Sequence, residues 1–480
     1  MAWIGLVPFL LALDGQPLLD RVKLAVIFSF LFFSLLVSWL LPLNFLGYLG
    51  FILVLMIAPV LFAVLFLRPF HNKRVGIVYC PALWVATEFF RTNLLGGFAW
   101  TLGHSQSFQL TALQMAGLTG SYGLSFFLVM FNYCLYQLWK NEGNQYFYAA
   151  CAFGAVFVLF GYGHFAFMDV QQSHQPTHFY EIGAIQPNIS PQEKWDEHRI
   201  DKIIDKHIAV TKLCLQTRPP DMIVWPETAI PDDFIKDLSM REKISQIATQ
   251  VKTHLLLGAA LFENGRDYNS AVLLNGRGAV LDIYRKKYLI PFSEFLPFKQ
   301  YLGFLRSSLN FNIYDFSPGK SLGIFTIRQK TDDHQGYLEE KFGVAICSEG
   351  SYPTLFRKLT LKESGFIVVL LNDAWFQQEA AMIMHAQSEI FRAVENRVSI
   401  VRVANSGWSC VIDPYGGIRP LTNKKPKLNK AGFYLFYVEA NHATTFYNKY
   451  GDIFAVTCLG FVIINFVLEA ILFFRKKRPE

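Results

Sequence analysis

The chain lacks the short motifs that hold metals and nucleotides. None of its 480 residues form an HExxH zinc motif or a GxSxG nucleophile elbow, and the GKS at positions 319–321 lacks the upstream glycine of a phosphate-binding loop. The seven cysteines are odd in number, widely spaced and without a CxxC pair, which argues against a disulfide framework and a zinc knuckle. We therefore expect a protein that works with no metal, nucleotide or other cofactor.

The positive charge is also not distributed as in a nucleic-acid-binding protein. The formal net charge is +7, but the lysines and arginines cluster beside apolar segments and not along one amphipathic face. The N-terminus has neither the basic start nor the small-residue cleavage site of a removable signal peptide. The sequence therefore predicts no nucleic-acid partner, and it predicts that the first apolar segment is retained.

What the chain has in abundance is apolar residues, which make up 52% of it and include 46 phenylalanines. About 20 such residues span a bilayer as a helix. Long apolar runs lie near 24–41, 45–67, 75–90, 121–139, 146–168 and 453–474, with a shorter run at 2–13. Between them, short apolar runs such as DMIVWPE and GFIVVLLNDAW alternate with polar helical stretches, a pattern typical of an α/β domain.

This pattern predicts three regions: an N-terminal transmembrane region at 1–174, an α/β catalytic domain at 175–445, and a C-terminal transmembrane helix with a short basic tail at 446–480. Basic residues that set the orientation stand at 21, 23, 68–74, 140 and 475–478. Because such residues favour the cytoplasmic side, they predict a multi-pass protein of a bacterial inner membrane with its α/β domain on the extracytoplasmic side.

Reactive side chains stand at the ends of three short apolar runs. Cys347 ends GVAIC, Glu227 follows MIVW, and the lysine pair of YRKK follows LDIY. A cysteine nucleophile needs a base for its proton and a cationic or N–H donor for the oxyanion. Taken alone, the cysteine would be interpreted as a core residue, and the glutamate and the lysine as solvated surface residues. Together, at strand ends that can meet at one edge of a sheet, they indicate an active site.

The stretches around these residues resemble the apolipoprotein N-acyltransferase family of the nitrilase superfamily. They are AIQPNISPQEKW, IVWPETAIP, YNSAVLL, YRKKYLIPFSEFLPF, GVAICSE, LNDAWF, FRAVENR and VRVANSG, in the family's order, with PALWVATEFFR, GGFAW and FYNKYGD in the membrane portion. The resemblance covers nearly the whole chain. It implies a multi-helix transmembrane bundle joined to a nitrilase-like α/β domain, an α-β-β-α sandwich.

The resemblance also implies roles for individual residues. It makes Glu227 the general base, Lys286 the oxyanion stabiliser and Cys347 the nucleophile. Lys286 is chosen over Lys287 because the family's pattern is Tyr-x-Lys-x-x-Leu-x-Pro-Phe. The residues expected to support the triad or bind substrate are Glu294, Glu349 and Trp195. For Trp195 the alternative is a tryptophan that only packs.

The implied reaction takes an acyl chain from a phospholipid, holds it as a thioester on the cysteine, and passes it to the α-amino group of an S-diacylglyceryl cysteine at an apolipoprotein's N-terminus. This is the last step of bacterial lipoprotein maturation, and a monomer is expected. Two alternatives remain at this point: a membrane-tethered nitrilase-type amidase that hydrolyses a C–N bond with the same triad, and a non-enzymatic scaffold or transporter.

The sequence departs from the family at two places near the expected acyl pocket. Ser348 follows the nucleophile where an aromatic residue is usual, and QQEAA follows LNDAWF where a Gly-Asp-Ser-like turn is common. Both bear on lipid preference more than on chemistry. The first residues match the family's second apolar segment, so one membrane helix of the family is expected to be missing or unrecorded in this sequence.

Overall fold

The chain forms two compact units in the computed structural model. One unit comprises Met1–His174 and Thr445–Glu480, and the other is Gln175–Thr444. The structure describes residues 1–43, 45–66, 74–141, 143–173, 178–194, 196–296, 300, 315–330, 337–376, 378–419 and 430–476. Each unit is described separately below.

The first unit is built from apolar helices. They are α1 (Val7–Leu13), α2 (Leu18–Leu36), α3 (Phe45–Leu65), α4 (Gly76–Leu94), α5 (Leu110–Leu113), α6 (Ala116–Thr119), α7 (Ser121–Lys140), α8 (Gln145–Ser173), α14 (Phe446–Tyr450) and α15 (Ile453–Lys476). A shared core joins the long helices, with Phe62 of α3, Leu83 of α4, Tyr133 of α7, Tyr148 of α8 and Ala455 of α15 all buried in it. The N-terminal and C-terminal segments therefore belong to one helical unit.

Two helices of this unit are long and apolar enough to cross a membrane, at Phe45–Leu65 and Gln145–Met168. Leu110–Thr119 and Ser121–Lys140 meet at a bend of 118° and would make a third span if they are counted together. Ile453–Glu469 is apolar but shorter. The described residues thus supply two or three spans, and the larger transmembrane bundle stays a prediction. Most of the basic loop at 68–74 and the end of the basic tail lie outside the described residues.

Two charged side chains are buried inside α4. Glu88 Oε1 accepts hydrogen bonds from Trp84 Nε1 at 3.0 Å and from the backbone N–H of Leu102 at 2.7 Å. The Arg91 guanidinium donates to the carbonyl oxygen of Trp100. Buried charges are costly unless they are hydrogen-bonded. Here they fasten the segment that follows α4 back onto the helix.

The second unit contains two six-stranded sheets. The first sheet has the order β12-β1-β2-β3-β4-β5 and the second the order β11-β10-β9-β8-β7-β6. The strands are β1 (Phe179–Gln186), β2 (Met222–Val224), β3 (His254–Glu263), β4 (Arg266–Leu274), β5 (Val280–Arg285), β6 (Gly323–Lys330), β7 (Tyr337–Ile346), β8 (Phe366–Leu371), β9 (Ser399–Ala404), β10 (Cys410–Ile412), β11 (Ile418–Arg419) and β12 (Gly432–Glu439).

The centre of each sheet is parallel. β1, β2 and β3 run parallel in the first sheet, and β7, β8 and β9 run parallel in the second. The outer pairs are antiparallel. Loops that follow neighbouring parallel strands leave from the same edge of the sheet, so each sheet can present several strand-end side chains together.

Helices cover the outer faces of both sheets. They are α9 (Pro191–Lys194), α10 (Ile200–Thr217), α11 (Leu238–Val251), α12 (Pro353–Thr360) and α13 (Glu379–Asn396). One apolar core lies between the sheets and includes Ile182 and Val224 of the first with Val344 and Val368 of the second. Another core joins α10 and α11 to the first sheet, while α12 and α13 pack on the second. The layers are therefore helix, sheet, sheet, helix, and the predicted α/β fold is confirmed.

Candidate active site

The three residues predicted for the triad follow the ends of three strands. Glu227 lies three residues beyond β2, Lys286 directly follows β5, and Cys347 directly follows β7. The Lys286 ammonium nitrogen lies 3.6 Å from Glu227 Oε1. The charges of Glu227 and Lys286 both act on the ionisation of the Cys347 thiol. The structure thus brings residues that are far apart in the sequence into one cluster, with two from the first sheet and one from the second.

Lys286 lies between two carboxylates. Its side chain is 1% exposed, and its Nζ lies 2.9 Å from Glu294 Oε2 in addition to the Glu227 contact. Burial by itself lowers the pKa of Lys286, but Glu294 and then Glu227 more than offset this and raise it above its ordinary value. The lysine is therefore cationic across the physiological pH range.

Asn269 of β4 joins the same two carboxylates. Its Nδ2 donates to Glu227 Oε1 at 2.8 Å and to Glu294 Oε1 at 3.1 Å. The second oxygen of Glu294 also accepts from the backbone N–H of Ile290 at 2.9 Å. The sequence reasoning missed Asn269, although it stands in the quoted stretch YNSAVLL. The available signal was a polar amide inside an apolar strand, since buried amides are hydrogen-bonded.

We expect Asn269→Ala to slow the first acyl transfer without unfolding the protein. The substitution leaves two buried carboxylate oxygens without this donor, which costs about 1–3 kcal/mol, or about 10- to 100-fold in rate if the loss falls on the reacting geometry. The measurement is the initial rate of acyl-thioester formation on Cys347. Asn264→Gly, in the exposed β3–β4 turn, is the matched control. A wild-type rate in Asn269→Ala would show that the amide does not position Glu227.

Cys347 stands at a strained turn. Its φ is 52°, a left-handed conformation that is uncommon for residues other than glycine, and it opens the 3-10 helix Cys347–Ser351. Burial and then Glu227 raise the pKa of the thiol well above its ordinary value, while Lys286 acts in the opposite direction. The resting thiol therefore keeps its proton at neutral pH and needs a base to become a nucleophile.

Glu349 connects the cysteine turn to the lysine segment. The side chain is fully buried, and its Oε1 accepts from Tyr284 Oη at 2.7 Å and from the backbone N–H groups of Lys287 and Tyr288 at 2.8 and 3.1 Å. Its Oε2 accepts from the backbone N–H of Ile346 at 2.8 Å. One carboxylate thus ties the end of β5, in the first sheet, to the end of β7, in the second.

The backbone around Glu227 passes very close to β3. A Cβ on Gly258 would lie 2.5 Å from the carbonyl oxygen of Pro226 and 2.8 Å from the Cα of Glu227, so only glycine fits there. Thr228 has a φ of 44°, which turns the chain immediately after the carboxylate. This close approach fixes the position of the Glu227 Cα, from which the side chain extends.

The two remaining lysines at the site have different positions. Lys287 points away, with its Nζ 3.4 Å from the carbonyl oxygen of Lys320. Lys194, which the sequence reasoning passed over in favour of its neighbour Trp195, is 2% exposed and donates from Nζ to the carbonyl oxygen of Glu227 at 2.7 Å. Trp195 itself lies outside the described residues. In the part of the chain that the structure describes, no three or more histidine, cysteine, aspartate or glutamate side chains are grouped so that they could hold a metal ion.

The two stacked sheets with their covering helices, together with a family-model match, place this unit in the class of the carbon-nitrogen hydrolases. The family model described as "Carbon-nitrogen hydrolase" matches residues 181–427, and the model for the "Apolipoprotein N-acyltransferase N-terminal domain" matches residues 1–134. The chain belongs to the apolipoprotein N-acyltransferase family.

Relatives with this name match most or nearly all of the chain. An apolipoprotein N-acyltransferase of Geobacter metallireducens is 30% identical over 99% of this chain and 91% of its own length. One of Rickettsia prowazekii is 27% identical over 84% of this chain and 78% of its own length. Among solved structures, Nit3 of Saccharomyces cerevisiae, from branch 10 of the nitrilase superfamily, is 17% identical with a TM-score of 0.41, covering 56% of this chain and 92% of its own.

Proposed function

We propose that this protein moves a fatty acyl chain from a phospholipid, through a thioester on Cys347, to the α-amino group of the S-diacylglyceryl cysteine of an apolipoprotein. Within the site, the observation that carries the proposal is the position of Lys286, held between Glu227 and Glu294 in the cluster that acts on the Cys347 thiol. This is the charge arrangement that a cysteine nucleophile requires.

In the first half of the reaction, Glu227 takes the thiol proton and Sγ attacks the carbonyl carbon of a phospholipid ester. The negative charge that develops on the carbonyl oxygen is stabilised by the Lys286 ammonium. When the C–O bond breaks, the leaving glycerol oxygen takes the proton from Glu227, so a lysophospholipid departs and the acyl chain remains as a thioester.

In the second half, the free α-amino group of the acceptor attacks the thioester carbon. Glu227 takes a proton from the attacking nitrogen, the C–S bond breaks, and the cysteine thiolate regains its proton from Glu227. Glu294 and Asn269 keep Lys286 and Glu227 in place through both halves by the contacts described above. The products are an N-acylated lipoprotein and the free enzyme, with no cofactor consumed.

The proposed setting is the bacterial inner membrane, with the α/β unit on the extracytoplasmic side. The apolar helices of the first unit and the distribution of basic residues in the sequence support this proposal. Both proposed substrates are bilayer lipids, and each CH₂ that is exposed to water costs about 0.8 kcal/mol. A membrane location keeps the donor, the acceptor and the enzyme in one phase.

The competing activity, an amidase, would use the same thiol chemistry with water as the final nucleophile. To separate the two, the purified full chain is supplied with phospholipid and a synthetic diacylglyceryl lipopeptide that has a free α-amino group. We expect an N-acylated lipopeptide and one lysophospholipid per transfer. Release of free fatty acid in place of acylated peptide, or turnover of simple amides with no acyl adduct on Cys347, would support hydrolysis and contradict the proposal.

A further inference from the structure

Lys194 is a buried cation for which the reaction described above has no use. It ends the short helix α9, its side chain is 2% exposed, and its only described side-chain hydrogen bond goes to the carbonyl oxygen of Glu227 at 2.7 Å. No carboxylate forms an ion pair with it among the residues described. Its neighbour Glu193 points elsewhere, to Lys206 at 3.1 Å. A buried lysine without a carboxylate partner is unusual, because its charge is not locally compensated.

The segment that carries Lys194 is firmly attached to the second sheet. Asn405, at the end of β9, accepts from the backbone N–H of Asn188 through its carbonyl and from that of Ile189 through Oδ1, at 2.8 and 3.0 Å. Its Nδ2 donates to the carbonyl of Ile189 at 2.8 Å and to Asn372 Oδ1 at 2.9 Å. The start of the loop that leads to Lys194 is therefore held at the end of β9, while the ammonium itself is held by the carbonyl oxygen of Glu227.

The charges of the site leave room for a second cation. Glu227, Glu294 and Glu349 supply three buried carboxylates against the single ammonium of Lys286, which leaves two negative charges uncompensated. An excess of negative charge opposes formation of a thiolate on Cys347. A protonated Lys194 would compensate one of these two charges.

Among the described residues, the titratable groups that interact electrostatically with Lys194 are Glu227, Cys347 and His207. Burial, the largest cause, lowers the pKa of Lys194 to about 7, and the charges of Glu227 and Cys347 partly oppose this. His207 is buried and neutral, with Nδ1 donating to the carbonyl of Ile203 and a pKa near 3, chiefly because of burial. The charge of Lys194 thus responds to pH in the range where the enzyme would work.

We propose that Lys194 is a positioning residue for acyl transfer: it holds the backbone of the general base Glu227, and its positive charge favours ionisation of Cys347. This inference rests on the proposed roles of Glu227 and Cys347. It predicts that the reactivity of the thiol depends on the charge of a lysine that lies outside the Glu-Lys-Cys set.

The test compares wild type with Lys194→Met, which keeps the length of the side chain but removes the charge and the donor, and Lys194→Arg, which stays charged at every pH. Lys206→Met, an exposed lysine on the adjacent helix, is the matched control. The full-length protein in detergent is alkylated with iodoacetamide from pH 6 to 9, and the label on Cys347 is quantified by peptide mass spectrometry. Thermal unfolding of each variant reports whether it is folded.

We expect Lys194→Met to raise the apparent pKa of Cys347 alkylation and to reduce labelling about 10-fold at pH 6, where wild-type Lys194 is protonated, the effect of one pKa unit. Lys194→Arg should restore labelling and hold it at pH 8, where wild-type Lys194 has lost its charge. A wild-type pH profile in Lys194→Met, or a Lys194→Arg variant as slow as Lys194→Met, would overturn the proposal. If Lys194→Met does not fold, the labelling of Cys347 at pH 8 in Lys194→Arg is compared with that in wild type, and this comparison decides whether the proposal holds.

A parallel assay on the same samples follows acyl-thioester formation from vesicles of phosphatidylethanolamine and phosphatidylglycerol. If wild type forms no thioester while the alkylation results hold, the proposed acyl transfer fails and the role of Lys194 in activating the thiol stands. If wild type forms the thioester but the alkylation profiles of all variants coincide, the role of Lys194 fails and the acyl transfer stands.

Discussion

Cys347→Ser is expected to abolish acyl transfer while leaving the fold intact. The change is nearly isosteric, but a serine hydroxyl has no accessible anionic form beside a glutamate base, whereas a thiol does. We expect turnover to fall at least about a thousand-fold and no acyl adduct to be detectable on the protein. The measurement is intact-protein mass spectrometry after incubation with phospholipid, alongside an assay of N-acylated lipopeptide.

Cys410→Ala supplies the control for this prediction. Cys410 is fully buried in β10, and burial raises the pKa of its thiol to about 12, so it has no thiolate to offer at neutral pH. Its replacement by a small apolar residue should preserve the acyl adduct. Substantial activity in Cys347→Ser, or loss of the adduct in Cys410→Ala alone, would mean that the nucleophile has been assigned to the wrong residue.

The second large effect is expected at Lys286. Removing its ammonium takes away the cation proposed for the oxyanion and also leaves Glu227 and Glu294 facing each other without compensation. Loss of a principal oxyanion partner costs about 3 kcal/mol or more, which is over about 100-fold in the rate of thioester formation. Lys286→Met preserves most of the side-chain volume, so the rate of thioester formation can be compared at equal folding, checked by thermal unfolding.

Lys287→Met is the matched control, because Lys287 is the next residue and its ammonium contacts only the carbonyl of Lys320 among the described residues. Lys287→Met should form the acyl-thioester at close to the wild-type rate. If Lys287→Met were the slow variant and Lys286→Met the normal one, the lysine that serves the oxyanion would be the other member of the pair, in spite of the geometry.

The strand-end residues could be predicted because each follows a short apolar run that reads as a buried strand. Glu227, Lys286 and Cys347 were found in this way, and the structure clusters them; their catalytic roles remain to be tested. The local sequence could not decide between Lys286 and Lys287. Side chains alternate between the two faces of an extended segment, so only one of the two lysines can face the site, but the alternation does not show which one. The family's spacing supplied that choice.

The sequence marks Asn269 as a buried amide, but it does not show which atoms Asn269 and Lys194 reach. Their importance comes from which oxygen atoms they reach, and this depends on the register of β4 against its neighbours and on the path of the loop after β1. Neither is encoded in any short stretch. The apolar run at 121–139 was likewise recognised, but the bend before α7 follows from Gly120, whose φ of 64° no other residue adopts as easily.

The division of the site between two sheets has a consequence during synthesis of the chain. The proposed base and oxyanion cation come from the first sheet, the proposed nucleophile comes from the second, and Glu349 links the two only after they have docked. Until then Cys347 lacks the neighbouring Glu227 and Lys286 through which we propose that it is acylated. We therefore expect a half-folded chain to form no acyl-enzyme, because both sheets must be in place before the proposed reaction can begin.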